Sequence, residues 1–354
     1  MGLNTPVLLI IFRRLDTTQH VFDAIRQAQP KQLFVAADGP REGKEGEAEK
    51  CRRAREIVKQ VDWDCAVHTL FQEKNLGCGW GPASAINWFF ENVEEGIILE
   101  DDCVPHITFF RFCEELLTKY RDDQRIMMIS GFNPLGKWKS ESQSYHFSYT
   151  GTSWGWASWR RAWDYYDIDM KLWGEPEVKN AVKHTVCHME TFNFLKWAFE
   201  ATYNDINHTY WDNPWQFARL LYSGLSVVPS ANLISNIGFF GEGETTNLGP
   251  AHPLVKLVAN LPLYSISFPL KEPYGVTDDR DFSRMCYLKA WKTIDATLIQ
   301  HRISYKVKVK NILIKLLRLL RLYSLAVIVV GPLYRRLAGK RTLRRQEHDQ
   351  KLKG

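Results

Sequence analysis

Gly96-Ile97-Ile98-Leu99-Glu100-Asp101-Asp102 is the stretch on which the fold turns. Its aliphatic run reads as a buried strand, and the three acids that stop it mark a carboxyl end. Upstream, residues 66–71 and 32–37 read as two further strands, the earlier one closed by the turn Asp38-Gly39-Pro40. Residues 6–12 (PVLLIIF) read as the first strand. Helical patterns fill the gaps. One covers 16–28, with Asp16 as N-cap and Val21, Phe22 and Ile25 on one face; a charged one covers 45–60. A third opens at Pro82 and runs to 91, after the loop Asn75-Leu76-Gly77-Cys78-Gly79. Strand–helix alternation at this spacing predicts an α/β domain, Rossmann-like, with a mostly parallel sheet flanked by helices. Ligands of such sheets bind beyond the carboxyl ends of the strands, which gathers Arg13, Asp38 and Asp102 around one crevice.

Glu100, Asp101 and Asp102 repel one another unless a cation compensates them. Mg²⁺ and Mn²⁺ take carboxylate oxygens and keep places for substrate phosphates, so either ion suits this position. An acidic turn simply solvated at a strand end is the plainer alternative.

Beyond residue 131 the alternation loosens. Residues 137–149 are polar and read as a mobile loop. Trp154-Gly155-Trp156-Ala157-Ser158-Trp159-Arg160-Arg161-Ala162-Trp163 is dense in indole. Indoles stack on sugar faces and also build cores, so a split is expected: Trp154 or Trp156 near a ligand, Trp159 and Trp163 buried. Helical patterns occupy most of 177–223, and 225–228 and 233–235 read as late strands. Residues 241–249 read as a glycine-rich lid that orders over a ligand.

Charge is unevenly placed. The net balance is +6, but residues 302–354 hold 15 Lys/Arg against Glu347 and Asp349, which leaves the preceding body at −7. Between 308 and 321 Lys308, Asn311, Lys315, Arg318 and Arg321 recur every three or four positions, with only Val, Ile and Leu between them apart from Lys310. That pattern predicts a C-terminal amphipathic helix lying at an anionic membrane surface. Its apolar continuation, 322–330, falls short of a bilayer span. The expected organisation is a catalytic domain over 1–300 and a basic, membrane-associating tail over 301–354. The amino terminus has no basic segment ahead of its short apolar run, which argues against an export signal and for a cytoplasmic location.

Seven cysteines without a CxxC pair suggest free thiols in a reducing compartment. His184, Cys187 and His188 lie near one another but read as surface residues in preference to a metal cluster. Nucleic acid is not an expected partner, because the tail interleaves few aromatics and matches no recognised module.

Together PVLLIIFRR, FVAADGP, NLGCG, GIILEDDCVP, WGWASWRRAW and YWDNPWQ, within residues 5–250, resemble the GT-A glycosyltransferases. The chain looks most similar to the bacterial nucleotide-diphospho-sugar transferases called haemolysin-like, related to N-acetylglucosaminyltransferase I. The resemblance implies a GT-A-like fold and a DxD-type motif. It assigns Asp102 to the metal, and places Glu100 and Asp101 near the ribose and the metal's water shell. Arg13 and Asp38 match the positions that touch the nucleotide, and Gly155 and Trp156 are expected beside the donor. Asp212, in Tyr210-Trp211-Asp212-Asn213-Pro214-Trp215-Gln216, matches the catalytic aspartate, with Asp205 in reserve. Asp212 also suits a helix N-cap, since Pro214 fits a first helical turn. The family has a histidine in the region where this chain has Thr245-Thr246-Asn247, with His252 nearby.

The function so implied is inverting, metal-dependent transfer of a sugar from a UDP-sugar, UDP-N-acetylglucosamine being the donor the resemblance favours. The acceptor would be a cell-surface glycan or a lipid-linked one, met at the inner face of the cell membrane. Two rivals stand beside it. A nucleotidyltransferase would use the same sheet, although Phe12-Arg13-Arg14-Leu15-Asp16 lacks the glycines of its usual first loop. A non-enzymatic membrane-active protein would rest on the tail alone.

Overall fold

The computed structural model describes residues 2–186, 188–239, 255, 258–286, 288 and 289. These belong to one compact unit, Met1–Ile294. The expected tail helix, the expected lid over 241–249, His252 and Cys187 lie outside the described residues.

Four parallel strands carry the amino-terminal half: β1 (Val7–Ile11), β2 (Gln32–Ala37), β3 (Ala66–Phe71) and β4 (Glu95–Glu100). Their order is β3-β2-β1-β4, with Ile11 beside Ala37, Ala37 beside Phe71, and Ile10 beside Glu100. In-register parallel pairing therefore brings four carboxyl ends to one edge. The helices between them are α1 (Leu15–Ala28), α2 (Glu47–Arg55) with a 3₁₀ turn to Gln60, and α3 (Gly77–Asn92).

The short strand β5 (Cys103–Pro105) leads to α4 (Thr108–Tyr120) and β6 (Ile126–Ser130). Next come β7 (Tyr145–Ser148), β8 (Trp156–Trp159), α5 (Arg160–Trp163), α6 (Pro176–Thr185), α7 (Met189–Tyr203) and α8 (Asp212–Leu221). The described chain ends through β9 (Leu225–Pro229), β10 (Ile234–Asn236) and α9 (Arg280–Cys286). The main sheet runs β3-β2-β1-β4-β8-β6-β9-β7, with β8 and β7 antiparallel to their neighbours; β5 and β10 form a separate pair. The α/β class and the mostly parallel sheet flanked by helices are as expected.

Period-two alternation sends successive strand residues to opposite faces. Val7, Leu9, Ile11, Val35 and Leu99 pack with Phe22 and Ile25 of α1 and with Phe109, Phe112 and Leu116 of α4. Leu8, Phe34, Ala36 and Ile98 pack on the other face with Ile86 and Phe89 of α3 and with Trp156, Trp163, Trp211 and Trp215. Both faces of β1, β2 and β4 are thus covered, as parallel strands require, while the edge strand β3 is largely exposed.

Three local expectations need correcting. Helix α1 begins at Leu15, so Asp16 is inside the first turn and Arg14 precedes the helix. An acid there still favours the positive helix end. Helix α3 begins at Gly77, five residues before Pro82, because a carboxylate from β2's end receives its first N–H groups. Residues 137–149 are not a uniformly mobile loop: Tyr145–Ser148 is a fully buried strand. It pairs with β9 and is covered by α9, where Ser148 and Ser283 hydroxyls meet at 2.9 Å. Polar side chains hid this strand because β7 buries His146 and Ser148 as well as Tyr145 and Phe147.

Candidate functional site

The shared strand edge opens into a cleft of about 350 Å³. Arg13 and Arg14 after β1, Asp38 after β2, Gln72 after β3, and Glu100, Asp101 and Asp102 at the end of β4 line it. The start of α3 forms part of the wall, and Trp154, Asn236, Tyr210 and Asp212 complete it. Parts of the chain remote in sequence therefore converge where the strand rule places a ligand.

The acidic triplet is held by Arg14. Its Nη2 donates to Asp101 Oδ1, and to Asp102 Oδ2 at 3.0 Å, while its Nε reaches Asp101 Oδ2 at 3.3 Å. Burial works against the Arg14 charge, but Asp101 and then Asp102 outweigh it and raise its pKa. Burial also raises Asp101, with Arg14 pulling in the opposite direction. Glu100 is driven well above the ordinary carboxylate range by its enclosure, then by the charges of Asp102, Asp212 and Asp101. Sequence reading named the adjacent Arg13. Arg13 lies at the cleft too, but its guanidinium pairs with the buried Glu47 at 3.4 Å, a carboxylate also bound by Arg41. What sequence missed is which of two neighbouring arginines turns toward β4, a matter of one residue's rotation at a strand end.

Asp38 is spoken for locally. Its carboxylate accepts the N–H of Gly39 and Leu76, both at 2.8 Å, and of Gly77 at 3.0 Å, with Asn75 Nδ2 at 2.9 Å. It therefore builds the Asn75–Gly79 wall of the cleft and caps α3 from a distance.

Asp212 is the first residue of α8, with Trp211 and not Asp212 at the N-cap position, and it reaches solvent within the cleft. Its Oδ1 accepts the Asn213 N–H at 3.0 Å, and the protein packed around the cleft raises its pKa although the carboxylate still reaches solvent at the cleft mouth. A carboxylate of raised basicity beside a ligand cleft is suited to taking a proton. The reserve, Asp205, does not line the cleft: it accepts the N–H groups of Asn207 and Thr209, at 3.0 and 2.9 Å, in a turn.

Two expected donor contacts are corrected. Trp156 has no exposed surface; its indole packs against Trp211, Trp163 and Trp215 at centroid distances of 5.9, 6.0 and 5.7 Å. Trp154 stands on the cleft wall in its place, braced by Phe132 and Phe239. Gly155 is needed for packing: it has φ +57°, and a Cβ there would collide with Ile234. Trp159 and Trp163 are buried as expected.

Sequence reading also missed the β10 wall. Asp102 O accepts the Ile237 N–H at 2.9 Å, and a Cβ on Gly238 would strike the Asp102 carboxylate. The strand read over 233–235 is β10 within a residue, but nothing local signals that the chain after it passes beside Asp102.

Among the described residues no three His, Cys, Asp or Glu side chains converge as a metal cage, the described parts of the His184–His188 segment included. No described helix is long and apolar enough to cross a membrane.

No protein-family model matches the sequence, and no curated protein matches it. Solved structures do. TarS residues 1–349 from S. aureus aligns at 11% identity and TM-score 0.36, over 65% of this chain and 59% of TarS. The match therefore spans less than two thirds of the TarS chain. UTP-bound UGPase from Acinetobacter baumannii aligns at 9% identity and TM-score 0.33, over 66% of this chain and 88% of its own. The inositol-1-phosphate CTP transferase of T. maritima aligns at 8% identity and TM-score 0.29, over 46% and 74%.

Proposed function

We propose that this chain is an inverting, metal-dependent glycosyltransferase that takes a sugar from a UDP-sugar. The observation that carries the reading is the placement of Asp102 and Asp212 on one cleft at the carboxyl edge of the parallel strands.

The residues fit a divalent cation shared with a substrate. Oxygen donors suit Mg²⁺ or Mn²⁺, and the Asp102 side chain keeps 16% exposure. Asp102 would hold the ion, with Glu100 and Asp101 beside it on the same strand end. Bound there, the ion would supply positive charge for the departing diphosphate.

The protein's own groups do the rest. Arg13 and Arg14 add cationic charge at the phosphate end. Asp38 shapes the wall for the nucleoside. Trp154 offers a face for the sugar, and Asp212 takes the proton of the attacking acceptor hydroxyl. One base on the acceptor side implies in-line displacement with inversion at the anomeric carbon. The sequence resemblance favours UDP-N-acetylglucosamine as donor and a surface glycan or lipid-linked acceptor. The basic tail would hold the enzyme at the inner membrane face.

A nucleotidyltransferase would share the sheet and carboxylates. What disfavours it is the first loop, where Phe12-Arg13-Arg14-Leu15-Asp16 lacks the glycines that chemistry usually places there.

Calorimetric titration of UDP into wild type and Asp102→Ala, with and without Mn²⁺, tests the reading. Manganese-dependent binding that disappears in the variant is expected. Wild type that binds no UDP in either condition would sink the donor assignment.

A further inference from the structure

We infer that Arg14 is the resident counter-cation of the acidic triplet and competes with a divalent cation for Asp102, so that the cation binds well only together with a nucleotide diphosphate. The inference rests on the metal-site reading above and adds the order in which the site fills.

Both oxygens of Asp102 are engaged. Oδ2 accepts Arg14 Nη2 at 3.0 Å, and Oδ1 accepts the Cys103 thiol at 3.4 Å. Gly238 leaves no room beside the carboxylate for more than a hydrogen. A cation arriving alone meets the guanidinium already on Oδ2, and must either displace it or sit against its positive charge. The bond to Asp102 is also the more exposed side of the fork, since the Asp102 side chain is 16% exposed and that of Asp101 7%.

The guanidinium has somewhere to go. Arg14 is anchored through its backbone, whose carbonyl accepts the Thr18 N–H at 3.0 Å and the Thr18 hydroxyl at 2.6 Å. Its side chain faces the cleft with 21% exposure. A planar guanidinium takes phosphate oxygens in the same forked geometry as a carboxylate. A diphosphate entering the cleft therefore offers Arg14 a replacement partner and frees Asp102. Binding of the two ligands is then mutually reinforcing, and reciprocity requires each to tighten the other equally.

The test measures free Mn²⁺ by electron paramagnetic resonance during titration of wild type, Arg14→Gln and Arg14→Lys, first without nucleotide and then with UDP. Without nucleotide, Arg14→Gln should bind Mn²⁺ about tenfold tighter than wild type, and the further tightening by UDP should shrink. Arg14→Lys, which keeps the charge without the fork, should fall between them. Equal Mn²⁺ affinity of wild type and both variants without nucleotide overturns the inference. If Arg14→Gln does not fold, equality of Arg14→Lys with wild type overturns it alone. Failure of wild type to bind UDP with Mn²⁺ would instead overturn the donor reading, which the nucleotide-free comparison does not use.

Discussion

The carboxylate of Asp38 accepts the backbone N–H of Gly77 at 3.0 Å, across 39 residues of sequence. A residue at the end of one strand thereby starts the helix that follows the next strand. Through Leu76 and Asn75 the same carboxylate fixes the loop that walls the cleft.

Replacing Asp38 should therefore act on stability as well as on binding. Asp38→Ala leaves several N–H groups without their acceptor and should cost about 2 kcal/mol in urea denaturation. Asp38→Asn keeps one acceptor oxygen and should lose less. A variant as stable as wild type would mean that the loop finds other partners at no cost.

Asp212→Asn keeps the shape of the side chain and removes its basicity. UDP release from a turned-over UDP-sugar should slow by roughly 10²–10⁴-fold, with Mn²⁺-dependent UDP binding unchanged. The raised Asp212 pKa sets the sign of the pH profile. Activity needs the deprotonated base, so it should fall as pH drops through that raised value, and this acid limb should vanish in the variant.

The two tryptophans flanking Gly155 should part company. Trp156→Ala opens a cavity among Trp163, Trp211 and Trp215 and should destabilise by about 3–5 kcal/mol. Trp154→Ala, on the cleft wall, should be milder in thermal unfolding and should weaken UDP-sugar affinity relative to UDP. Equal destabilisation with unchanged sugar affinity would remove Trp154 from the donor site.

His146 on β7 is buried with neither ring nitrogen hydrogen-bonded, its ring 4.2 Å from that of Phe282. Burial lowers its pKa from 6.5 to about 4; Asp279 opposes this and Lys139 adds to it. The unfolded chain thus takes up this proton before the folded one does. Stability should be full above the unfolded value and be lost as pH falls from there toward the folded one, by about 3 kcal/mol in total. His146→Leu should flatten that stretch of the stability–pH curve; a curve unchanged from wild type would assign the acid sensitivity elsewhere.

Much of the amino-terminal half was legible because its signals are local. The strands 32–37 and 66–71 have the bounds that the apolar runs between turn residues suggest. The acid triplet announced a strand end, and parallel pairing then placed Arg13, Asp38 and Asp102 on one edge. Beyond residue 131 the code is not local: Tyr145–Ser148 is a strand because β9 and α9 bury it, which its polar composition does not advertise.

Sequence by itself determined the alternation, the acidic strand end and the aspartate that opens α8, because each follows from residue type at short spacing. Only the tertiary structure decided that Arg14, not Arg13, grips the triplet, that Trp154, not Trp156, meets the cleft, and that Asp38 is committed to Gly77. Those choices turn on which face of the backbone a side chain leaves, and on partners that packing brings from far along the chain. Neither quantity is carried by the order of the residues alone.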